Sequence, residues 1–582
     1  MQPISTRRST FGRKPEQQVA APGPCARPRL ALDATAPRPH NALATMPSFL
    51  KVWPIHLRRE SVSPDGIFLP CLLAVGLATG GTASAQTWQR EEVDFARIEE
   101  KAKAAAAEPY RAPDSGSMPQ WMKDLSYDQY RDIRYREDSA IWKTEGLPFH
   151  MMLFHPGYLY REPVAVREIT RTHSQIIRFN PDFFEYGHLV TNRGDTPSDI
   201  GYAGFKLLAP MNIPERFDEM VVFLGASYWR ALGTAQHWGL SARGAAVDTG
   251  TQGPEEFPAF RQFWVRKPDQ GAKSVEVFAL LDSPSLAGAY AFTLTPGTDT
   301  TVDVNAVLFP RKAMTRFGLA PMSSMFWFGE NSRRRFDDFR PEVHDSDGLA
   351  LLSSTGERIW RPLANDTNRV EFSFFQMEKP AGFGLVQRDR RFAAYEDGEA
   401  AYHERPTLWV EPTSDWGAGD VMLMEIPTAN ELADNIVALW QPATAPQPGQ
   451  RIAFSYRQHW TKNDDPAQAG GRVVATRTGV HEWQKEQRTV AVEFTGGKLD
   501  ALPADKPPEA VVSVLAGAEP PKVKVQGLAV QTLPEKRWRV SFQLAPTAEG
   551  GKLAEAGPVE LRGCLKQGDD YLTETWAYRI IP

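Results

Sequence analysis

What most constrains this chain is a period of two in its apolar residues. Tyr290, Phe292 and Leu294 alternate with smaller or polar neighbours, Pro296-Gly297 and a polar stretch interrupt, and Val302, Val304, Ala306 and Leu308 alternate again. Alternation gives a strand one apolar face, and a breaker between two such runs predicts a β-hairpin. Val275-Glu276-Val277-Phe278 and Val370-Glu371-Phe372-Ser373-Phe374 follow the same rule. So do Ile452/Phe454/Tyr456, Val490/Val492/Phe494, Val512/Val514, Trp538/Val540/Phe542/Leu544 and Val559/Leu561. Helical spacing is confined to Glu91–Glu108, where Val93, Phe95, Ile98 and Ala102 recur every three or four residues. The expected fold class is all-β.

A proline-rich stretch without strand pattern, residues 441–450, reads as a stiff linker. It divides a large β-sandwich, residues 86–440, from a smaller one, residues 451–582, whose short strands and turns suit an immunoglobulin-like sandwich. The larger part is too long for one simple sandwich of that size and calls for extended sheets packed face to face.

The beginning of the sequence is of another kind. Residues 1–45 are rich in Arg, Pro, Ala and Thr and read as disorder or as translation upstream of the true start, with Met46 the better start. After Met46 come Lys51, Arg58 and Arg59, an apolar run from Ile67 to Ala78, and Ala83-Ser84-Ala85. That layout predicts a secretory signal over 46–85 and export to the periplasm, by the general route or, through Arg58-Arg59, the twin-arginine route. Removing residues 1–85 takes away 10 basic and 4 acidic side chains, turning a net charge of −5 into 56 against 67, or −11. An acidic protein offers no footprint for nucleic acid, and no run of 18 apolar residues offers a membrane span. Of the 3 cysteines only Cys564 would remain, so no intrachain disulfide or cysteine metal site is expected, and Cys564 reads as a small buried apolar residue.

The sequence has no phosphate-cradling Gly-Lys-Ser/Thr loop, dinucleotide fingerprint, HExxH or Gly-x-Ser-x-Gly elbow. It does have many tryptophans beside polar residues, among them Ser227-Tyr228-Trp229-Arg230, Trp360-Arg361, Asp415-Trp416 and Trp440. Aromatic faces next to polar groups suit carbohydrate, whose C–H faces stack while its hydroxyls need fixed partners. Two acidic segments stand out: Arg340–Gly348, with Glu342, His344, Asp345 and Asp347, and Ile426–Asn435, with Glu431 and Asp434 three apart. Paired carboxylates are what glycoside hydrolysis requires, one protonated and one ionised, although Asx turns or a cation site explain Asp345 and Asp347 equally well. His150 and His155 read as hydrogen-bonded structural residues, and no metal or other cofactor is expected.

The strings Asp199–Leu208, Phe223–Arg230, Phe339–Gly348, Ile359–Leu363, Gly382–Arg388, Arg405–Pro412, Glu425–Thr428 and Asp434–Trp440, in that order, resemble the periplasmic glucan biosynthesis proteins of the G and D type. Phe336-Asp337-Asp338-Phe339 looks closer to the D branch. The resemblance implies a galactose-mutarotase-like supersandwich followed by an immunoglobulin-like domain, and a role in making osmoregulated periplasmic glucans with β-1,2-linked backbones. It also implies, through members that are inverting β-1,2-glucanases, Asp434 as general acid and Asp345 as general base, with Asp347 the neighbouring alternative. Glu431 would stand beside the acid, and Tyr402 and Arg405 would orient substrate; Trp360, Arg361, Asp347 and Trp440 are further expected sugar contacts. The same resemblance accommodates a non-catalytic glucan-binding factor that receives polymer from the inner-membrane glucosyltransferase, or a branching transferase, and it allows a homodimer.

Overall fold

The computed structural model describes residues 93–581 apart from 115–117, 171–172, 333–335, 366–367 and 516–521. The expected leader and the segment before it lie outside the described residues. Phe95–Ala107 is helical as predicted, with the Asp94 side chain capping its start by accepting from the Arg97 N–H at 2.8 Å. Ile98 and Ala102 are its buried face.

The rest is dominated by two large sheets, one of 10 strands and one of 15. The predicted hairpin forms the antiparallel pair Leu286–Thr295 and Thr300–Pro310, with Tyr290 opposite Ala306, Phe292 opposite Val304 and Leu294 opposite Val302. Its alternation serves two cores. Tyr290, Phe292 and Leu294 face the interior, while Ala289, Val307 and Phe309 face the other way and are covered by the helix residues Ile98 and Ala102. On the interior side the sheets meet through aromatic pairs, Phe223 with Phe292 at 5.2 Å and Phe205 with Phe263 at 5.0 Å between ring centroids. Face-to-face contact of this kind makes the molecule an all-β sheet-on-sheet structure.

The proline-rich stretch does not separate the strands around it. Ile436–Pro442 runs into its first residues, and Ile452–Thr461, expected to open the second sandwich, is hydrogen-bonded along one edge to Thr300–Pro310 and along the other to Thr407–Pro412. The reason is burial: Phe454, Tyr456 and Trp460 belong to the same core as Tyr290 and Phe292. Further along, Thr575–Ile580 pairs in parallel with Arg358–Pro362, so C-terminal strands extend the 15-stranded sheet. A four-stranded antiparallel sheet of Arg472–Val480, Arg488–Thr495, Arg537–Pro546 and Val523–Leu533 packs on that extension, Phe542 meeting Trp576 at 6.3 Å. Cys564 is buried and free, and burial pushes its thiol pKa up, which keeps it unreactive.

Candidate active site

On the strand Tyr228–Ala231 the alternation sends Trp229 into the core, where its indole N–H donates to Gln458 Oε1 at 2.9 Å. Tyr228 and Arg230 are thereby turned to the opposite face. Arg243 stands across from Tyr228 on the next strand, and Ser323 lies on the strand beyond, while Ala242 and Met322 share the core with Trp229. The 10-stranded sheet thus presents a polar patch on the face away from its core.

Two carboxylates reach this patch from segments pinned to one dipeptide, Met325-Phe326. Asn435 clamps Phe326, accepting from its N–H at 2.8 Å and donating to its carbonyl at 3.0 Å, which fixes the neighbouring Asp434. Asp345 donates its own N–H to the Met325 carbonyl at 2.8 Å. Asp434 keeps 27% of its side-chain surface open, and an Arg230 Nη2 stands 3.6 Å from its Oδ2. Burial among protein atoms pushes its pKa up to about 6; Arg230 opposes this and the Asp345 charge adds to it. Asp345 is 5% exposed and is held by Arg405 Nη1.

Arg405 and Tyr402 come from one short loop. Its backbone takes the left-handed conformation at Glu396 (φ 52°) and at Ala401 (φ 47°), rare for residues with a Cβ and a form of strain that collects at functional sites. Asp397 accepts from the N–H groups of Glu399 and Ala400 at 3.0 and 2.8 Å, and the Ala400 carbonyl accepts from Arg405 Nε and Nη2 at 3.0 and 2.9 Å. The Arg405 guanidinium lies 4.2 Å over the Tyr402 ring, and the Tyr402 hydroxyl donates to Glu431 Oε2 at 2.6 Å. Arg340 ties the pieces together, donating through Nη1 to Glu431 and to Asp397, each at 2.8 Å, and through Nε and Nη2 to Asp338. Of the nine site residues expected from sequence, the structure therefore gathers Asp434, Asp345, Glu431, Tyr402 and Arg405.

The other four go elsewhere. Asp347 turns away from Asp345, accepting through Oδ2 from the N–H groups of Arg388 and Asp389, both at 2.9 Å. Trp360 is 3% exposed: its ring lies over Gly348, where a Cβ would sit 2.3 Å from the indole, and the Arg388 guanidinium covers it at 3.5 Å. Arg361, 1% exposed, is spent on Glu425 at 3.0 Å. Trp440 is fully buried beside Trp416. These aromatic and basic side chains are core, because alternation on their strands points them into packed layers rather than to the polar patch.

Among the described residues, Glu342, His344 and Asp347 come close enough to hold a metal ion. Their hydrogen bonds favour another state. Gln387 Nε2 donates to the carbonyls of His344 and Tyr402, so its Oε1 must accept from His344 Nδ1 at 2.9 Å, while His344 Nε2 faces Glu342 Oε2 at 2.9 Å. Both ring nitrogens thus donate, leaving no lone pair for a metal. Burial alone would lower the His344 pKa, but Asp347 and Glu342 outweigh it and push it up to about 9. His155 also behaves as expected, bonded to the Pro156 carbonyl and the Tyr186 hydroxyl.

Arg230 and Arg340 were not singled out from the sequence. Their signal was an arginine beside or opposite a core tryptophan on an alternating strand, and an arginine within an acidic turn.

Fold and site define an all-β protein with an acid–arginine cluster on the outer face of its smaller large sheet. Residues 93–580 match the family described as "Periplasmic glucan biosynthesis protein, MdoG", and the chain belongs to that family. It is 42% identical over 520 residues to "Glucans biosynthesis protein G" of Ralstonia nicotianae, covering 88% of this chain and 99% of that one. It is 39% identical over 534 residues to "Glucans biosynthesis protein D" of Xanthomonas campestris pv. campestris, covering 90% and 97%. Overall identity does not separate the two branches.

Proposed function

We propose that this protein acts in periplasmic glucan biosynthesis as an inverting endo-β-1,2-glucanase that trims or shapes the glucan backbone after export. The observation that carries the reading is Asp434: a carboxyl held up to about pKa 6, partly open, with a second carboxylate, Asp345, close enough to raise it. One protonated and one ionised carboxyl is the division of labour glycoside cleavage needs. Asp434 protonates the departing glycosidic oxygen while Asp345 draws a proton from water attacking the anomeric carbon on the opposite face. Arg405 holds Asp345, and the Asn435 clamp on Phe326 fixes the neighbouring Asp434.

A specific observation favours a second reading. Asp345 is 5% exposed and already engaged by Arg405, an arrangement that suits a glucan-binding factor whose carboxylates only accept from sugar hydroxyls. Incubating the protein with linear β-1,2-glucan and following chain length and product anomer by NMR decides between them. Cleavage with inversion, lost in Asp434→Asn and in Asp345→Asn, is the expected result. Binding without cleavage establishes the second reading, and cleavage undiminished in both variants removes these residues from the chemistry.

A further inference from the structure

The residues behind the site are gripped from the C-terminal part of the chain. Asp345, Ser346 and Asp347 bridge the two large sheets. On the 10-stranded side Asp345 donates its N–H to the Met325 carbonyl, and Ser346 Oγ meets Ser324 Oγ at 2.8 Å. On the 15-stranded side Asp347 donates its N–H to the Val386 carbonyl at 2.8 Å and accepts through Oδ2 from the N–H groups of Arg388 and Asp389. Gln387 and Arg388, which follow the strand Pro380–Val386, send their side chains to different places. Gln387 donates to the His344 and Tyr402 carbonyls at 2.9 and 3.1 Å. Arg388 reaches the C-terminal chain, donating to Glu574 Oε1 and Oε2 at 2.6 and 3.0 Å and to the Val473 carbonyl at 2.7 Å. Two neighbouring residues thus join the loops of the site to the C-terminal strands.

Glu574 is the anchor of this connection. Its side chain is 0% exposed; its Oε1 also accepts from the Val473 N–H at 2.9 Å, and its own N–H donates to the Gly471 carbonyl at 2.9 Å. It stands immediately before the strand Thr575–Ile580, which lies beside Arg358–Pro362, while Val473 belongs to the four-stranded sheet. One carboxylate therefore joins that sheet, the extension of the 15-stranded sheet and Arg388. Packing alone does not fix the joint. A cavity of about 20 Å³ is lined by Val473 and Thr476 from the C-terminal side and by Phe326, Asp347 and Arg388 from the other. A buried ion pair adds little net stability over apolar groups of the same volume, but it fixes direction, since the guanidinium can stand only where its carboxylate is.

We infer that Glu574 is a positioning residue: through Arg388 it makes the C-terminal strands part of the frame of the site, setting where Asp345 and the Tyr402–Arg405 loop stand relative to Asp434. Its catalytic consequence rests on the glucanase reading; its effect on the frame does not.

The test is the paired substitution Arg388→Met/Glu574→Leu in the full protein, which exchanges the ion pair for apolar side chains and is expected to keep Tm near that of the unsubstituted protein. On linear β-1,2-glucan, kcat is expected to fall about tenfold with KM nearly unchanged, as a small misplacement of reacting groups produces. Hydrogen–deuterium exchange followed by mass spectrometry is expected to quicken at the amides of Asp345 and Arg405 and to stay unchanged in the helix Phe95–Ala107. Unchanged exchange at Asp345 and Arg405, or exchange that quickens equally in the helix, overturns the assignment, and so does full kcat in a cleaving protein. If the unsubstituted protein cleaves no glucan, the glucanase reading falls and the exchange alone decides the positioning role. If the paired variant does not fold by circular dichroism, Glu574→Asp, which keeps the charge and withdraws it by one methylene, is read by the same measurements with the same outcomes.

Discussion

Asp345 and Asp347 are separated by one serine yet belong to regions of opposite character. Asp345 joins Asp434, Arg230 and Arg405 in a partly open cluster where charges are close but donors are left over, as at Arg230 Nε. Asp347 joins His344, Glu342 and Gln387 behind it, where every ring nitrogen and amide proton named above has an acceptor. The first is partly open to the outside through Asp434, and the second is closed behind it. Gln387 is the physical link, since one amide donates both to the His344 carbonyl and to the carbonyl of Tyr402.

The largest expected effect falls on the open region. Asp434→Asn should lower cleavage of linear β-1,2-glucan by about 10²–10⁴-fold, the usual worth of a positioned general acid, with little change in Tm. A variant that loses Tm in step with activity would place Asp434 in the supporting region instead. The converse holds for the ion pair Arg388–Glu574, formed at 2.6 and 3.0 Å and buried under Trp360 and Val473. Glu574→Gln leaves a buried guanidinium uncompensated and should cost roughly 3–5 kcal/mol in denaturant unfolding.

The two regions should also titrate apart. With Asp434 as the proposed general acid, kcat should fall above about pH 6, and Arg230→Gln, which removes the opposing cation, should move that limb to higher pH. Stability is governed by the inner region. His344 is raised to about 9, so the folded state holds more protons than the unfolded one above the ordinary imidazole value; its contribution is complete below that value and is lost as pH rises through about 9. Glu330, pushed up to about 8 by burial and by Glu342 and Asp347, has the same sign over its own range. Tm should therefore decline between about pH 6.5 and 9, and His344→Gln should flatten the decline; a rising Tm over that interval contradicts the imidazolium assignment. The smallest effect is expected for Tyr402→Phe, which removes one hydrogen bond to Glu431 and should reduce kcat by about tenfold with KM nearly unchanged.

Much of this was legible in the chain. The Tyr290–Leu308 hairpin and the Phe95–Ala107 helix follow from local periodicity, which is set by neighbours in sequence. Asp434, Asp345, Glu431, Tyr402 and Arg405 were reached through motif resemblance, and the structure brings them together. Trp360 and Trp440 show where such reading stops. A tryptophan beside a polar residue is written alike whether its face is open or, as for Trp360, covered by a guanidinium from another strand.

The sequence by itself determined the strand-by-strand alternation, the helix, the acidity of the body and the residue types able to handle a glycosidic bond. Only the tertiary structure decided that Ile452–Thr461 belongs to the first sheet rather than to a second domain, and that Asp345 faces Arg405 while Asp347 faces inward. The physical reason is the same in each case. Local pattern fixes which way a side chain points from its own strand, but what it meets there, a core, a cation or open space, is set by strands distant in sequence, whose pairing is chosen by the total apolar surface they bury together.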